Sequence, residues 1–183
     1  MNHLTDSEFE RACAHLARTY GLDMRSKRVL LECRLSRERE RLKLPSFTAY
    51  LNLIESGRDP EASERFVDLV TTHYTYFFRE RKQFAFLHDA FPALERARRR
   101  SRWNILCAGC STGEECYSLS MLVEDYAQTH DIPPVRIFGI DVSEPALREA
   151  RAALYPRSRI EKVPKRWMNS YLEESNGGFT VSD

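Results

Sequence analysis

No apolar run in the 183-residue sequence approaches the roughly 18 residues of a membrane span. The opening MNHLTDSEFERA holds no apolar h-region, so no secretory signal is expected. Cysteine is scarce, five in all, odd in number and without the spacing of a disulfide framework. That usage predicts a reduced, cytoplasmic protein. Charge of one sign is lacking too: the formal net charge is +1. Global charge therefore points to neither nucleic acid nor an acidic partner, and such a partner would need a local cluster. The Lys-Ser/Thr of a phosphate loop is missing, as is GxGxxG. Cys107-Ala-Gly-Cys110 spells CxxC, but it has no second pair and no neighbouring histidines. No metal site is expected there; the two cysteines read as small core residues flanking a turn. Internal repeats and low-complexity segments are absent as well.

What is present centres on Asn104 to Tyr126, NILCAGCSTGEECYSLSMLVEDY. Asn104 to Ala108 is an apolar run of strand length, and Gly109 and Gly113 bracket a tight turn. Ser111 and Thr112 are good N-caps with Glu114 and Glu115 three residues after each, which predicts a capping box in one of two registers. Leu119, Leu122, Val123 and Tyr126 then share one helical face. A strand feeding a helix through a small-residue turn is where doubly wound folds hold ligands. Two carboxylates in the first helical turn would repel a pyrophosphate. A cofactor carrying an ammonium, a positive sulfur and ribose hydroxyls fits better, and S-adenosylmethionine has that description.

A second strand, Arg136 to Ile140, leads to Asp141 just past its carboxyl end. A carboxylate in that place can accept hydrogen bonds from both ribose hydroxyls. The next helix is expected from Glu144 to Tyr155, with Leu147, Ala150 and Leu154 inward.

Upstream, the chain reads as helical from Leu4 to about Ala90. A capping box at Thr5 and Glu8 opens the first helix, and Gly21 closes it. Ser26 to Leu42, Phe47 to Ser56 and Glu61 to Thr71 follow as helices. On the second of these four, Lys27, Arg34, Arg37 and Arg41 fall within about 80° of arc. That stripe is either a solvated face or a docking surface for an acidic helix. Nucleic acid is the weaker partner, because neighbouring acids blunt the field and no aromatic platform is interleaved. The segment Thr72 to Glu80 reads as an extended linker closing over the turn, with Arg79 as a fixed cation, before a helix from Glu80 to Phe91. The basic run Arg96 to Arg102 reads as a solvated connection.

Together the linker TTHYTYFFRE, the turn CSTGEECYS and the strand end FGIDVS resemble the CheR-type chemoreceptor glutamate methyltransferases, over essentially the whole chain. The resemblance implies an α/β protein. A small all-helical N-terminal domain (1–71) and a linker with its helix (72–90) precede part of a Rossmann-like class I S-adenosylmethionine-dependent methyltransferase domain (91–183). It implies methyl transfer to glutamate side chains on the cytoplasmic helices of chemotaxis receptors. Cofactor contacts carry over to His73, Thr75, Arg79, Glu115 and Asp141, and Arg79 carries the catalytic, positioning role. The basic second helix, with Lys27, Arg34, Arg37 and Arg41, becomes the receptor-facing element. Two departures stand out: His73 replaces the family's usual asparagine, and Cys116 replaces the proline of GEEPYS. Only two strands of the parallel sheet are legible, with Phe179 to Val181 a candidate third. The chain is therefore expected to be a fragment with an incomplete sheet, able to self-associate through the open edge. A non-catalytic docking module with a vestigial cofactor turn is the alternative.

Overall fold

The computed structural model describes residues 3–97 and 102–182, so the basic run after Ala97 lies almost wholly outside the described residues. Two compact units are present, Met1–Thr72 with Val142–Pro145, and His73–Asp141 with Ala146–Asp183.

The first unit is helical. Helix α1 (Asp6–Tyr20) starts at the expected box: Thr5 Oγ1 accepts from the Glu8 N–H, and the Thr5 N–H donates to Glu8 Oε2 at 3.0 Å. Gly21, in the left-handed conformation, ends it. Helices α2 (Arg28–Arg41), α3 (Phe47–Ser56) and α4 (Pro60–Val70) follow. Asp59 caps α4 by accepting from the Ala62 N–H, and Pro60 occupies a first-turn position whose missing N–H costs nothing. Phe9, Ala12, Leu16, Leu31, Leu35, Phe47, Tyr50, Leu51, Ile54 and Phe66 form one buried core. These recur at helical spacing, so the apolar stripe of each helix closes against the others.

The second unit begins with the extended segment and enters α5 (Arg81–Ala97). That helix runs through Pro92, six residues beyond its expected end. A proline there removes one hydrogen bond, but buried Phe91 stacks on Tyr126 and Trp103, with ring centroids 4.9 and 5.8 Å away. That packing holds the following turn in helical geometry.

Strand β1 (Trp103–Ala108) pairs in parallel with β2 (Val135–Ile140), with Leu106 opposite Phe138 and Ala108 opposite Ile140. Between them runs α6 (Glu114–Ala127), which buries Leu119, Leu122, Val123 and Tyr126 as the sequence predicts. Alternation along β1 turns Trp103 and Cys107 inward and leaves Leu106 exposed.

Two expectations fail beyond this point. Helix α7 (Glu144–Ala152) stops three residues short of Tyr155, because Ala153 adopts a left-handed φ of 51°. Leu154 is consequently an exposed strand residue rather than an inward helical one. Phe179 to Val181 does not extend the parallel sheet. It belongs to β5 (Gly178–Val181), the middle strand of a separate antiparallel sheet with β3 (Leu154–Tyr155) and β4 (Leu172–Ser175). Asn176-Gly177 makes the β4–β5 reversal, with Gly177 at φ 103°. Short helices α8 (Arg157–Ile160) and α9 (Lys165–Tyr171) connect β3 to β4.

Candidate functional site

The turn after β1 is held from several sides. Gly109 and Cys110 both donate their N–H groups to the Ile140 carbonyl, at 2.8 and 2.9 Å. The Ser111 N–H donates to Asp141 Oδ2 at 2.8 Å. Asp141 therefore sits at the strand end, as the sequence predicts, and reaches across to the turn itself. Ser111 has a left-handed φ of 51°, an unfavourable conformation that this hydrogen bond helps to keep.

The expected capping box is not formed. Gly113, at φ 92°, is the N-cap of α6, and no side chain caps the helix. Glu114 instead turns inward and is fully buried, where Arg159 Nε donates to its Oε1 at 2.7 Å and the guanidinium completes the ion pair. Thr112 Oγ1 also donates to Glu114, at 2.6 Å, and accepts from Arg159. The neutral Tyr155 hydroxyl, its pKa raised by burial, donates to the Thr112 carbonyl at 2.6 Å. The neighbouring acid, Glu115, is exposed. Of the two carboxylates in this turn, one is thus neutralised inside the protein, and the other, Glu115, is exposed and lies within hydrogen-bonding reach of the Cys107 thiol. Glu115 leaves a carboxylate on the first turn of α6, and Asp141 brings another to the Ser111 N–H just before it.

The linker is anchored to the same helix. Phe77 packs edge-on against Tyr155, centroids 5.0 Å apart. The Phe78 N–H donates to Ser118 Oγ at 2.9 Å, and Ser118 donates in turn to the Glu114 carbonyl at 2.6 Å. His73 and Thr75 are half-buried in this extended stretch. Arg79 is exposed, donates to the Tyr74 carbonyl at 2.6 Å, and lies over the Tyr74 ring at 5.5 Å. Arg79 thereby fastens a loop of its own linker, a link that spacing alone does not reveal.

The four cations of the basic stripe lie in the first unit and differ from one another. Lys27 and Arg37 are exposed. Arg34 donates to the carbonyls of Leu69 and Thr71, at 2.6 and 2.7 Å, closing the end of α4. Arg41 shares the buried Glu38 carboxylate with Arg65.

Sequence reasoning missed Arg159 and Tyr155. Each acts on the turn from more than 40 residues downstream, and no local pattern signals such a partner.

Residues 73–183 match the family described as CheR methyltransferase, SAM binding domain, and residues 7–71 match CheR methyltransferase, all-alpha domain. The chain is 37% identical over 164 residues to the chemotaxis protein methyltransferase 2 of Pseudomonas aeruginosa, covering 88% of this chain and 56% of the relative. It is 32% identical over 178 residues to the chemotaxis protein methyltransferase of Borreliella burgdorferi, covering 94% and 63%. The Escherichia coli chemotaxis protein methyltransferase is also 32% identical over 178 residues, covering 95% and 59%. The chain thus spans roughly three fifths of the length of these relatives.

Proposed function

The chain belongs to the CheR methyltransferase family, whose matched domain takes S-adenosylmethionine, and from that premise we propose that it serves methyl transfer to glutamate side chains of chemotaxis receptors. The observation that carries this reading is the division of labour between two adjacent acids. Arg159 cancels Glu114 inside the protein, while Glu115 remains exposed and Asp141 holds the Ser111 N–H of the same turn. A negative, phosphate-repelling turn at the carboxyl ends of parallel strands suits an ammonium and ribose hydroxyls. We assign the cofactor contacts to His73, Thr75, Arg79, Glu115 and Asp141.

S-adenosylmethionine supplies an electrophilic methyl group when bound. The acceptor glutamate, with a pKa near 4.3, is already ionised at neutral pH, so no residue of this chain need act as a general base. What remains for the protein is orientation, with the oxygen in line with the methyl–sulfur bond at about 3–3.5 Å. Arg79, preset by its bond to the Tyr74 carbonyl, is the positioning cation. Receptor docking falls to α2 and the Lys27 that precedes it, where Lys27 and Arg37 present exposed charge and Arg34 and Arg41 hold the surface in shape. On this reading the protein works in the cytoplasm; among the described residues no helix is long and apolar enough to cross a membrane.

Calorimetry with S-adenosylhomocysteine tests the assignment. Glu115→Gln and Asp141→Asn should each weaken binding about tenfold, or ~1.4 kcal/mol. Unchanged affinity in both variants, or preferential binding of ATP, would overturn it.

A further inference from the structure

Three of the five cysteines converge behind the cofactor turn, and the methyl transfer proposed above uses none of them. Cys107 points inward from β1, Cys110 follows Gly109 in the turn, and Cys116 is the third residue of α6. A β-carbon built on Gly139 would lie 2.8 Å from Cys116 Sγ and 2.9 Å from Cys110 Sγ. Both sulfurs therefore press on one point of β2, and a side chain at that position would have no room. Their separation cannot exceed the sum of those two distances, which sets the two sulfurs near each other, against the ~2.05 Å of a disulfide. Cys110 and Cys116 also share the wall of a cavity of about 400 Å³, with Gly113, Tyr117, Leu147 and Ala150. Small oxidants can reach them there.

The three thiols are not equivalent. Cys107 donates to the Cys116 sulfur, and this, with a further hydrogen bond from Cys110, lowers the Cys116 pKa. Burial pushes Cys110 up to about 11, and Cys107 is raised as well. Cys116 is thus the most acidic of the three thiols, with the raised Cys110 thiol beside it.

We propose that Cys116 is an oxidation site, joined to Cys110 by a reversible disulfide when the protein meets a hydroperoxide. The Cys116 thiolate attacks the peroxide, breaking the O–O bond and taking one oxygen as a sulfenic acid. The other oxygen leaves as water or an alcohol after accepting a proton. The Cys110 sulfur then attacks the Cys116 sulfur, the S–O bond breaks, and the hydroxide departs as water with the Cys110 proton. Two thiols lose two electrons and the peroxide gains them. The bond would span Ser111 to Glu115, tying the turn to the first turn of the helix it introduces. Its effect on ligand binding rests on the cofactor reading above; the bond itself does not.

The test treats the whole chain with hydrogen peroxide, blocks free thiols, and cleaves after glutamate. Cleavage at Glu114 or Glu115 separates Cys110 from Cys116, so a disulfide appears as two peptides held together and released by dithiothreitol. Cys116→Ser should abolish the linked pair. Cys110→Ala should leave Cys116 as a sulfenic acid trapped by dimedone, which keeps the test independent of either variant alone. S-adenosylhomocysteine affinity should fall at least ~10-fold on oxidation and return on reduction, with no response to peroxide in Cys116→Ser. Linkage without binding by the reduced protein would support the oxidation site and count against the cofactor reading. Oxidation of exposed Cys33 with Cys110 and Cys116 both still reduced would overturn the proposal.

Discussion

At Gly113 two independent constraints meet. Its φ is 92°, and a β-carbon there would lie 2.9 Å from Ala150 Cβ and 3.1 Å from Ala150 Cα. The second of these contacts is backbone, which cannot rotate away. Gly113→Ala should therefore cost about 2–4 kcal/mol, from strain and overpacking together. Gly109 is the control: its φ is 79°, but nothing lies within 4 Å of the added carbon. Gly109→Ala should cost about 1 kcal/mol. Urea unfolding measures both, and equal midpoints for the two variants would refute the close-contact argument. Arg159 presents a different case, since its loss strands a buried carboxylate. Arg159→Ala should destabilise by about 3 kcal/mol, and adding Glu114→Gln should recover a good part of it. Additive losses in that cycle would mean the pair is not coupled. Arg79→Ala bears on the proposed methyl transfer instead: receptor methylation should fall by at least ~10², with the fold intact. Near-normal turnover there removes Arg79 from the mechanism.

Helix α2 carries a buried anion, Glu38, held by Arg41 and by Arg65 from α4. Burial alone would raise its pKa, but the hydrogen bonds from the two arginines outweigh burial, and the pKa is lowered. A depressed carboxylate stabilises the fold above its unfolded pKa of about 4.3, and that contribution disappears as pH falls through the folded value. Thermal midpoints of the wild type should drop more steeply than those of Glu38→Gln between about pH 5 and about pH 3. Parallel curves would show that the α2–α4 clamp contributes nothing. Elements such as these were legible to differing degrees, for physical reasons. Thr5 and Gly21 act on near neighbours in sequence, so both ends of α1 could be read locally. Where the deciding contact is distant, the same rules mislead. Glu114 fits a capping box by spacing, but Arg159, 45 residues away, draws it inward. The end of α7 turns on one left-handed alanine, which no composition rule anticipates. Asn176-Gly177, by contrast, is a strong hairpin signal whose weight goes unfelt when Phe179 is read as a parallel strand.

Each unit closes its own core, but the parallel sheet of the second leaves one face uncovered. Strands β1 and β2 have no other strand partner among the described residues. On one side Trp103 and Cys107 are buried; on the other Leu106 is 61% exposed, Phe138 48% and Ile140 53%. Parallel sheets are ordinarily covered on both faces, and an apolar patch beside unpaired strand edges invites association. Copies of this chain should therefore associate as concentration rises, with light scattering giving a mass that climbs between ~1 and ~100 μM. Phe138→Lys with Leu106→Lys places charge on that face without touching the buried side. The double variant should remain monomeric with unchanged helical circular dichroism. A wild-type mass equal to the monomer throughout that range would show that the exposed face is tolerated by solvent, and that edge pairing is not how this chain manages it.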